Sequence, residues 1–254
     1  MLRFQNRLLA ALPPDVHNAI QPHLTIVELS AGQVLSGAGE EVRQVYFPHT
    51  SVVSLVVELK EGDVIETAML GSDNVLSASA ALDGMISLNK SVVRLAGAAA
   101  LIGVGPLREI AREHARFRSL LLRHEQVMFA HVQQSVACNA RHSTEARACR
   151  WLLRMHDLAG CDDISLTHEQ LAQMLGVRRS GVSIVAEALQ KEGMISYHRG
   201  LIRLADIGRL RRTSCECYAT VKTLYENFRN IELLMVLLAT ATSLKIGLID
   251  IFPV

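Results

Sequence analysis

The chain has 254 residues, half of them hydrophobic, and a formal net charge of +1 at pH 7. This length allows two domains with substantial cores, and the near-neutral charge excludes a protein that binds polyanions over its whole surface. The charge is uneven, because residues 139–222 carry 13 basic and 9 acidic side chains. A nucleic-acid contact is therefore expected in that segment.

Residues 1–14 contain charges but no sustained apolar run ahead of a small-residue cleavage site, so we expect a cytoplasmic protein. The cysteines are odd in number and lie in several segments, which argues against a disulfide scaffold. Their spacing along the chain forms no zinc pattern, so neither a metal nor a cofactor is predicted. The five are Cys138, Cys149, Cys161, Cys215 and Cys217.

Residues 24 to about 105 are predicted to form short strands. The runs are rich in β-branched residues and separated by turn residues such as Gly, Asp and Pro, which is typical of an all-β barrel or double sheet. They are residues 24–29, 42–47, 52–59, 64–70 and 91–96.

From Pro106 the pattern becomes helical, with a short leading helix before Ala115 and then a long helix. The long segment has apolar residues on more than one face, so it must bury two sides. One side is expected to pack on the β domain and the other on a further element; the alternative is a helix wholly buried within one domain. His124 and His131 share one face, but two histidines without a third ligand indicate interface or surface residues.

Residues 139–143 are predicted to be a hinge, with Ser143 capping the next helix. Further on, Thr167 and Gln170 have the spacing of a capping box, and Gly176 ends that helix. The following helix carries an apolar stripe formed by Val182, Val185, Ala186 and Leu189. These two helices, separated by a short turn at Gly176, predict a helix-turn-helix. The alternative is a helical hairpin in an α-rich core.

A strand, a glycine turn and a second strand follow over residues 194–204, which is the pattern of a wing. Basic side chains near it would contact DNA phosphates and position the reading helix without themselves reading sequence. These side chains are Lys191, His198, Arg199 and Arg203.

These motifs, with residues 135–143 and 214–218, resemble the Crp/Fnr family of bacterial transcription regulators over about residues 20–220. The resemblance implies an α+β fold with an N-terminal β jelly roll (double-stranded β-helix), a long dimerisation helix and a C-terminal winged helix-turn-helix. The expected divisions are a sensor domain, a dimerisation helix with hinge, a DNA-binding domain and an apolar extension, at residues 1–105, 106–142, 143–222 and 223–254.

The resemblance implies a homodimeric regulator that reads a palindromic operator in double-stranded DNA. In such a dimer one side of the long helix, with Met128, would pack on a twin helix. Further expected partners are RNA polymerase and an unidentified small-molecule effector, and no membrane is expected. The alternative is a ligand or cyclic-nucleotide sensor whose DNA binding is secondary or lost. No enzyme is predicted, because no nucleophile, base and orienting group fall into a recognisable set.

The residues expected to contact DNA lie at the starts of the two helices and in the wing. Arg179 matches the arginine that contacts guanine in relatives, whereas Ser180 and Ile184 stand where many relatives carry glutamate and a second arginine. The usual operator therefore cannot be carried over. The DNA-binding set is Thr167, His168, Arg178, Arg179, Ser180, Gly181, Ser183 and Arg199.

In the cyclic-nucleotide branch of that family, a carboxylate holds the ribose and an arginine holds the phosphate. In this sequence those two positions fall on Ala78 and Lys90. Lysine lacks the two-pronged guanidinium, so cyclic AMP is not expected. A different anion would be held by Ser77, Ser79, Lys90 and Ser91.

Residues 231–254 are apolar and lie outside the resemblance. Their uncharged run, residues 233–244, is shorter than the roughly 20 residues that a membrane span needs. We expect this tail to pack on the protein or across the dimer. Truncation of the chain after Asn227 is expected to lower stability or solubility and to leave DNA binding intact.

Overall fold

The computed structural model describes the backbone of residues 6–243 and the side chains of residues 6–230. Two helices that the sequence analysis did not predict, α1 (Arg7–Ala10) and α2 (Pro14–Ile20), come first. Asn6 caps α1 by accepting hydrogen bonds from the amides of Leu8 and Leu9. Both helices pack on the core of the β domain through their buried leucines, Val16 and Ile20.

Seven strands then form two antiparallel sheets, as the prediction of a double sheet requires. One sheet has the order β1-β7-β3 and the other β2-β6-β4-β5. The strands are β1 (Thr25–Leu29), β2 (Val34–Ser36), β3 (Gln44–Pro48), β4 (Val52–Glu58), β5 (Val64–Leu70), β6 (Lys90–Leu95) and β7 (Gly97–Gly103).

The sequence analysis predicted five of these strands and missed β2 and β7. β2 has only three residues. β7 is rich in alanine, which has a low intrinsic preference for strands, yet it is the central strand of its sheet. Ala99 and Ala100 are fully buried there, so tertiary packing overrides the local preference.

The remaining helices and strands form the long helix, the helix-turn-helix and the wing. They are α3 (Val104–Glu113), α4 (Ala115–Arg141), α5 (Thr144–Ala159), β8 (Asp163–Ser165), α6 (His168–Leu175), α7 (Arg179–Lys191), β9 (Ile195–His198), β10 (Leu201–Leu204), α8 (Ile207–Thr213) and α9 (Cys217–Ser243). Helix α3 begins two residues before Pro106. The boundaries expected at 105/106 and 222/223 fall inside α3 and α9.

Helix α4 has a buried side and an exposed apolar stripe. Leu122, Phe129 and Val136 are 48%, 66% and 65% exposed and repeat every seven residues. Met128 is buried against α9, where the hydroxyl of Tyr225 lies 3.1 Å from its sulfur. The assignment of Met128 to the contact with a twin helix was therefore wrong, because the apolar pattern alone does not distinguish the two faces.

His124 and His131 are also buried, although the sequence analysis placed them at an interface or on the surface. The Nε2 atom of His124 accepts from the amide of Val75 at 3.3 Å and lies 3.2 Å from Oδ1 of Asn74. Nδ1 of His131 lies 3.0 Å from the hydroxyl of Tyr225. These histidines therefore fasten α4 to the β domain and to α9.

Helix α9 packs along α4 through Val221, Tyr225 and Phe228, which are buried. The expectation that residues 231–254 pack on the protein concerns side chains outside the described residues. Within residues 6–243, no helix is long and apolar enough to cross a membrane.

A buried ion pair joins the β domain to the helix that opens the C-terminal domain. The Arg154 guanidinium, on α5, donates to both carboxylate oxygens of Asp73, which follows β5, at 2.8 and 3.1 Å. Although burial opposes the charged form, Arg154 holds the pKa of Asp73 below its usual range. The guanidinium also lies over the ring of Tyr225, 4.7 Å from its centroid.

A second buried group lies where β5 meets the helix-turn-helix. Glu66 accepts a hydrogen bond from Ser54 and lies 3.7 Å from Nε of Arg94, whose Nη1 donates to Gln173 of α6 at 3.1 Å. Burial raises the pKa of Glu66 to about 7, despite the opposing effect of Arg94. The folded protein therefore favours the protonated carboxyl group.

Replacement of Glu66 by Gln should reduce the pH dependence of stability. A carboxyl group with a raised pKa contributes its full stability below pH 4.5 or so and loses it as the pH rises through about 7. Between pH 5 and pH 8 the free energy of unfolding of the wild type should fall by about 2–3 kcal/mol more than that of E66Q. Urea unfolding at both pH values measures this. E28Q, at an exposed strand position, is the control, and equal pH slopes for wild type and E66Q would contradict the assignment.

Candidate nucleic-acid interface

Helix α6 begins with the capping box that the sequence predicts. The hydroxyl of Thr167 accepts from the amide of Gln170 at 3.2 Å, and the side chain of Gln170 accepts from the amide of Thr167 at 2.8 Å. Gly176 ends the helix with φ of +60°, a left-handed conformation that favours glycine. The capping box therefore sets the start of α6, and Gly176 sets its end before the turn into α7.

Helix α7 buries Val182, Ala186 and Leu189 against the winged-helix core. Its opposite face is exposed at the N-terminal end, where Arg178 is the N-cap. No side chain among the described residues caps this end, so its free amides point outward with the arginines around them. The exposed residues of this end are Arg178, Arg179, Ser180 and Ser183, and Gly181 is half-buried.

The wing is a hairpin of β9 and β10, joined by a two-residue turn. Arg199 and Gly200 have φ of +47° and +83°, as a tight hairpin turn of the primed type requires. The amide of Leu166 donates to the carbonyl of Gly200 at 2.8 Å, which ties the turn to the start of α6. Arg199 is therefore exposed beside Thr167.

His168, at the start of α6, contacts both α7 and the wing. Its ring stacks on Tyr197 of the wing at 4.4 Å, and Nδ1 lies 3.2 Å from the hydroxyl of Ser183 on α7. Burial, with a smaller effect of Arg179, lowers the pKa of His168. The side chain positions the two helices and the wing relative to one another.

Arg203 was expected to contact DNA phosphates, but in this structure it pairs with an aspartate. It donates to both carboxylate oxygens of Asp163 at 2.6 Å, from Nε and Nη2. This arginine stabilises the pairing of β10 with β8, so its charge is already engaged within the wing.

The four predicted effector-pocket residues form separate local contacts. Ser77 and Ser79 lie at the start of a 3-10 helix, Ala78–Leu82, and the Ser79 carbonyl accepts from the amide of Gly84. Lys90 pairs with Glu58 at 2.5 Å, and the hydroxyl of Ser91 lies 2.7 Å from that of Ser36. Their role in effector binding stays a prediction.

The structure also shows two clusters that the sequence analysis missed. One is a cavity of about 260 Å³ beside the buried pair of Asp73 and Arg154, lined in addition by Arg7, Lys222 and Arg229. The other groups Cys138, His142, Cys215 and Cys217. Both join segments more than 70 residues apart, which the sequence does not show to meet. For the second cluster, the short spacings of Cys138 with His142 and of Cys215 with Cys217 were the available signal.

A family model of the Crp-like helix-turn-helix domain matches residues 146–213, which hold this capping box, this helix pair and this wing. Residues 146–213 form a Crp-like helix-turn-helix domain. The resemblance inferred from the sequence is thus confirmed for the part that carries the predicted DNA contacts. No curated protein matches the chain.

Solved structures extend the likeness to the whole fold. A regulator assigned to the Crp/Fnr family from Eubacterium rectale ATCC 33656 has a TM-score of 0.64 at 19% identity, over 81% of this chain and 96% of that one. FixK2 from Bradyrhizobium japonicum has a TM-score of 0.64 at 18% identity, over 76% and 98%. The c-di-GMP responsive regulator CLP of Xanthomonas campestris has a TM-score of 0.62 at 13% identity, over 76% and 99%.

At these identities the likeness establishes the fold. The chain has the architecture of Crp/Fnr regulators, an N-terminal β sandwich followed by a C-terminal Crp-like domain, and the predicted α+β class is confirmed.

Proposed function

We propose that this protein is a DNA-binding transcription regulator of the Crp/Fnr type. The observation that carries the proposal is the Crp-like domain, in which Arg178, Arg179 and Ser180 are exposed at the start of α7 and Arg199 is exposed in the wing turn. In a winged helix-turn-helix, the N-terminal residues of the second helix reach base edges in the major groove.

The two kinds of arginine have different roles in this proposal. Arg179 lies in the first turn of α7, where its guanidinium would donate two hydrogen bonds to guanine. Arg199 lies in the wing turn, away from the reading helix, where a cation contacts phosphate and carries no sequence information. Thr167 and the free amides of α7 add phosphate contacts at the two helix starts.

We further propose that the protein acts as a homodimer through α4. Leu122, Phe129 and Val136 lie on the outer face of α4 with the seven-residue spacing of a two-helix seam. Two copies related by a twofold axis would bury this stripe and present two α7 helices to a palindromic operator.

The proposed effector is a small molecule other than cyclic AMP. Ala78 takes the position implied for the ribose-binding carboxylate and is fully buried in the core of the β domain. Lys90 takes the position implied for the arginine and is paired with Glu58. Neither residue offers the contacts that hold a cyclic nucleotide.

The remaining assignments follow from the same proposal. The Crp-like domain and the structural neighbours belong to transcription regulators, so we propose no enzymatic activity. We propose a cytoplasmic location and contact with RNA polymerase at promoters that the protein activates.

The test of the proposal is selection from a random duplex library with the purified full-length protein. The proposal requires enrichment of a two-part, symmetric sequence. A folded protein that enriches no sequence above the unselected library would instead favour a ligand sensor whose DNA binding is lost.

Arg179→Ala and Arg199→Ala should weaken DNA binding in different ways. On the selected duplex, R179A should cost about 1–3 kcal/mol and relax one base position in each half-site. R199A should weaken selected and random duplexes by the same factor and lower the salt slope by about one. Fluorescence anisotropy over a salt series measures both. An unchanged affinity and consensus for R179A would show that α7 does not read the bases.

Phe129→Glu should convert the dimer into monomers. The substitution places a carboxylate at the centre of the proposed seam, where burial without a partner costs several kcal/mol. Phe129 is 66% exposed in the single chain, so the monomer should stay folded. L88E makes the same kind of change at a residue that is 86% exposed outside α4 and should stay dimeric. Light scattering that finds F129E still dimeric would place the interface elsewhere.

Cyclic AMP should neither stabilise the protein nor change its DNA affinity. A ligand at 100 times its dissociation constant would add about 2.7 kcal/mol to the free energy of unfolding, which a thermal melt detects. A rise in melting temperature that depends on cyclic AMP would contradict the assignment of Ala78 and Lys90.

A further inference from the structure

Three cysteines and one histidine meet at the C-terminal end of α4. Cys138 and His142 lie one helical turn apart, Cys215 lies between α8 and α9, and Cys217 begins α9. Their ligand atoms, one from each side chain, all lie within 4.8 Å of one another. Cys138 and Cys217 are fully buried, Cys215 is 7% exposed, and His142 is half-buried.

The distances within this cluster fit a tetrahedral ion. The sulfur atoms of Cys138 and Cys215 are 3.5 Å apart, and Nδ1 of His142 is 3.6 Å from the sulfur of Cys217. A tetrahedral zinc ion with its usual bond lengths places two sulfur ligands about 3.8 Å apart, and a sulfur and a nitrogen about 3.6 Å apart. A disulfide bond, at about 2.05 Å, is much shorter than the separation of the two sulfurs.

We propose that Cys138, His142, Cys215 and Cys217 bind one zinc ion as a structural site. Three thiolates and one imidazole are a usual ligand set of structural zinc, and four protein ligands leave no position open for a substrate. Soft thiolate ligands also disfavour magnesium, calcium and manganese.

Neighbouring side chains orient the proposed ligands. Nε2 of His142 lies 3.1 Å from a carboxylate oxygen of Glu216, so Nδ1 is left to face the cluster. Zinc-bound histidines commonly donate their second ring N–H to a carboxylate in this way. The amide nitrogen of Gln134 donates to the sulfur of Cys217 at 3.0 Å, a contact that stabilises a thiolate.

Two buried arginines near the proposed site carry charge opposite in sign to that of the site. Zinc with three thiolates and a neutral histidine carries a net charge of −1. Arg147 and Arg150 are 8% and 3% exposed, and both act electrostatically on thiols of the cluster. Their Nε atoms have no hydrogen-bond partner among the described residues. Two buried guanidinium groups therefore lie within electrostatic reach of the cluster, and a site of net charge −1 would compensate part of their charge.

The site would fasten both ends of the DNA-binding domain. Cys138 and Cys215 are 77 residues apart, and the chain between them contains the helix-turn-helix and the wing. A cross-link across so long a loop removes a large loop-closure entropy from the unfolded state. It would also hold the C-terminal end of α4 against the start of α9.

The test is the metal content of the full-length protein, purified with a thiol reductant and without chelator. Inductively coupled plasma mass spectrometry should find one zinc ion per chain. His142→Ala and Cys215→Ser should lose that zinc, whereas C149S and C161S, which change a buried and an exposed cysteine outside the cluster, should keep it. Removal of the metal should lower the melting temperature of the wild type, and zinc should restore it.

Cobalt substitution of the wild type decides the question even if a variant does not fold. Tetrahedral cobalt with thiolate ligands gives intense visible d–d bands and a thiolate-to-metal charge-transfer band. His142→Cys should keep cobalt and shift those bands. A folded, reduced wild type that binds neither zinc nor cobalt would overturn the proposal. So would the absorption of an iron–sulfur cluster, or a disulfide among these cysteines in the protein as purified. None of these measurements uses DNA.

Discussion

The buried pair of Arg154 and Asp73 is the constraint on which the arrangement of this protein depends. A charge buried without its partner is strongly unfavourable, so the pair must either stay together or be exposed to water together. Asp73 belongs to the β domain and Arg154 to α5, which is the first helix of the Crp-like domain. Tyr225 of α9 covers the guanidinium and contacts His131 of α4, so one network joins four parts of the fold.

The proposed zinc site lies at the other end of the same domain junction. His131 and Cys138 are both on the buried side of α4, two helical turns apart, so the ion-pair network and the cysteine cluster fasten α4 to α9 at successive levels. The outer side of α4 carries the exposed apolar stripe through which we propose that a second copy of the chain binds. Of residues 139–143, predicted as a hinge, the first three end α4, and only His142 and Ser143 connect α4 to α5. That this connection transmits a change in the β domain to the reading helix stays a prediction.

Local chemistry made part of this structure predictable from the sequence. The capping box of Thr167 and Gln170 and the wing turn at Arg199 depend on residues close in the chain, and both form as predicted. Strand β7 was missed because packing in the sheet centre outweighs the weak strand preference of alanine. The face of Met128 and the cysteine cluster depend on which distant segments meet, and apolar spacing within one helix contains no such information.

The central claim is that symmetric copies of α7 read guanines in the major groove. Methylation protection on a duplex selected by the protein measures this directly. Guanine N7 atoms should be protected in two half-sites one helical turn apart, about 10 base pairs centre to centre, and this protection should be lost in R179A but not in R199A. Protection confined to the minor groove, or a pattern that is unchanged in R179A, would contradict it.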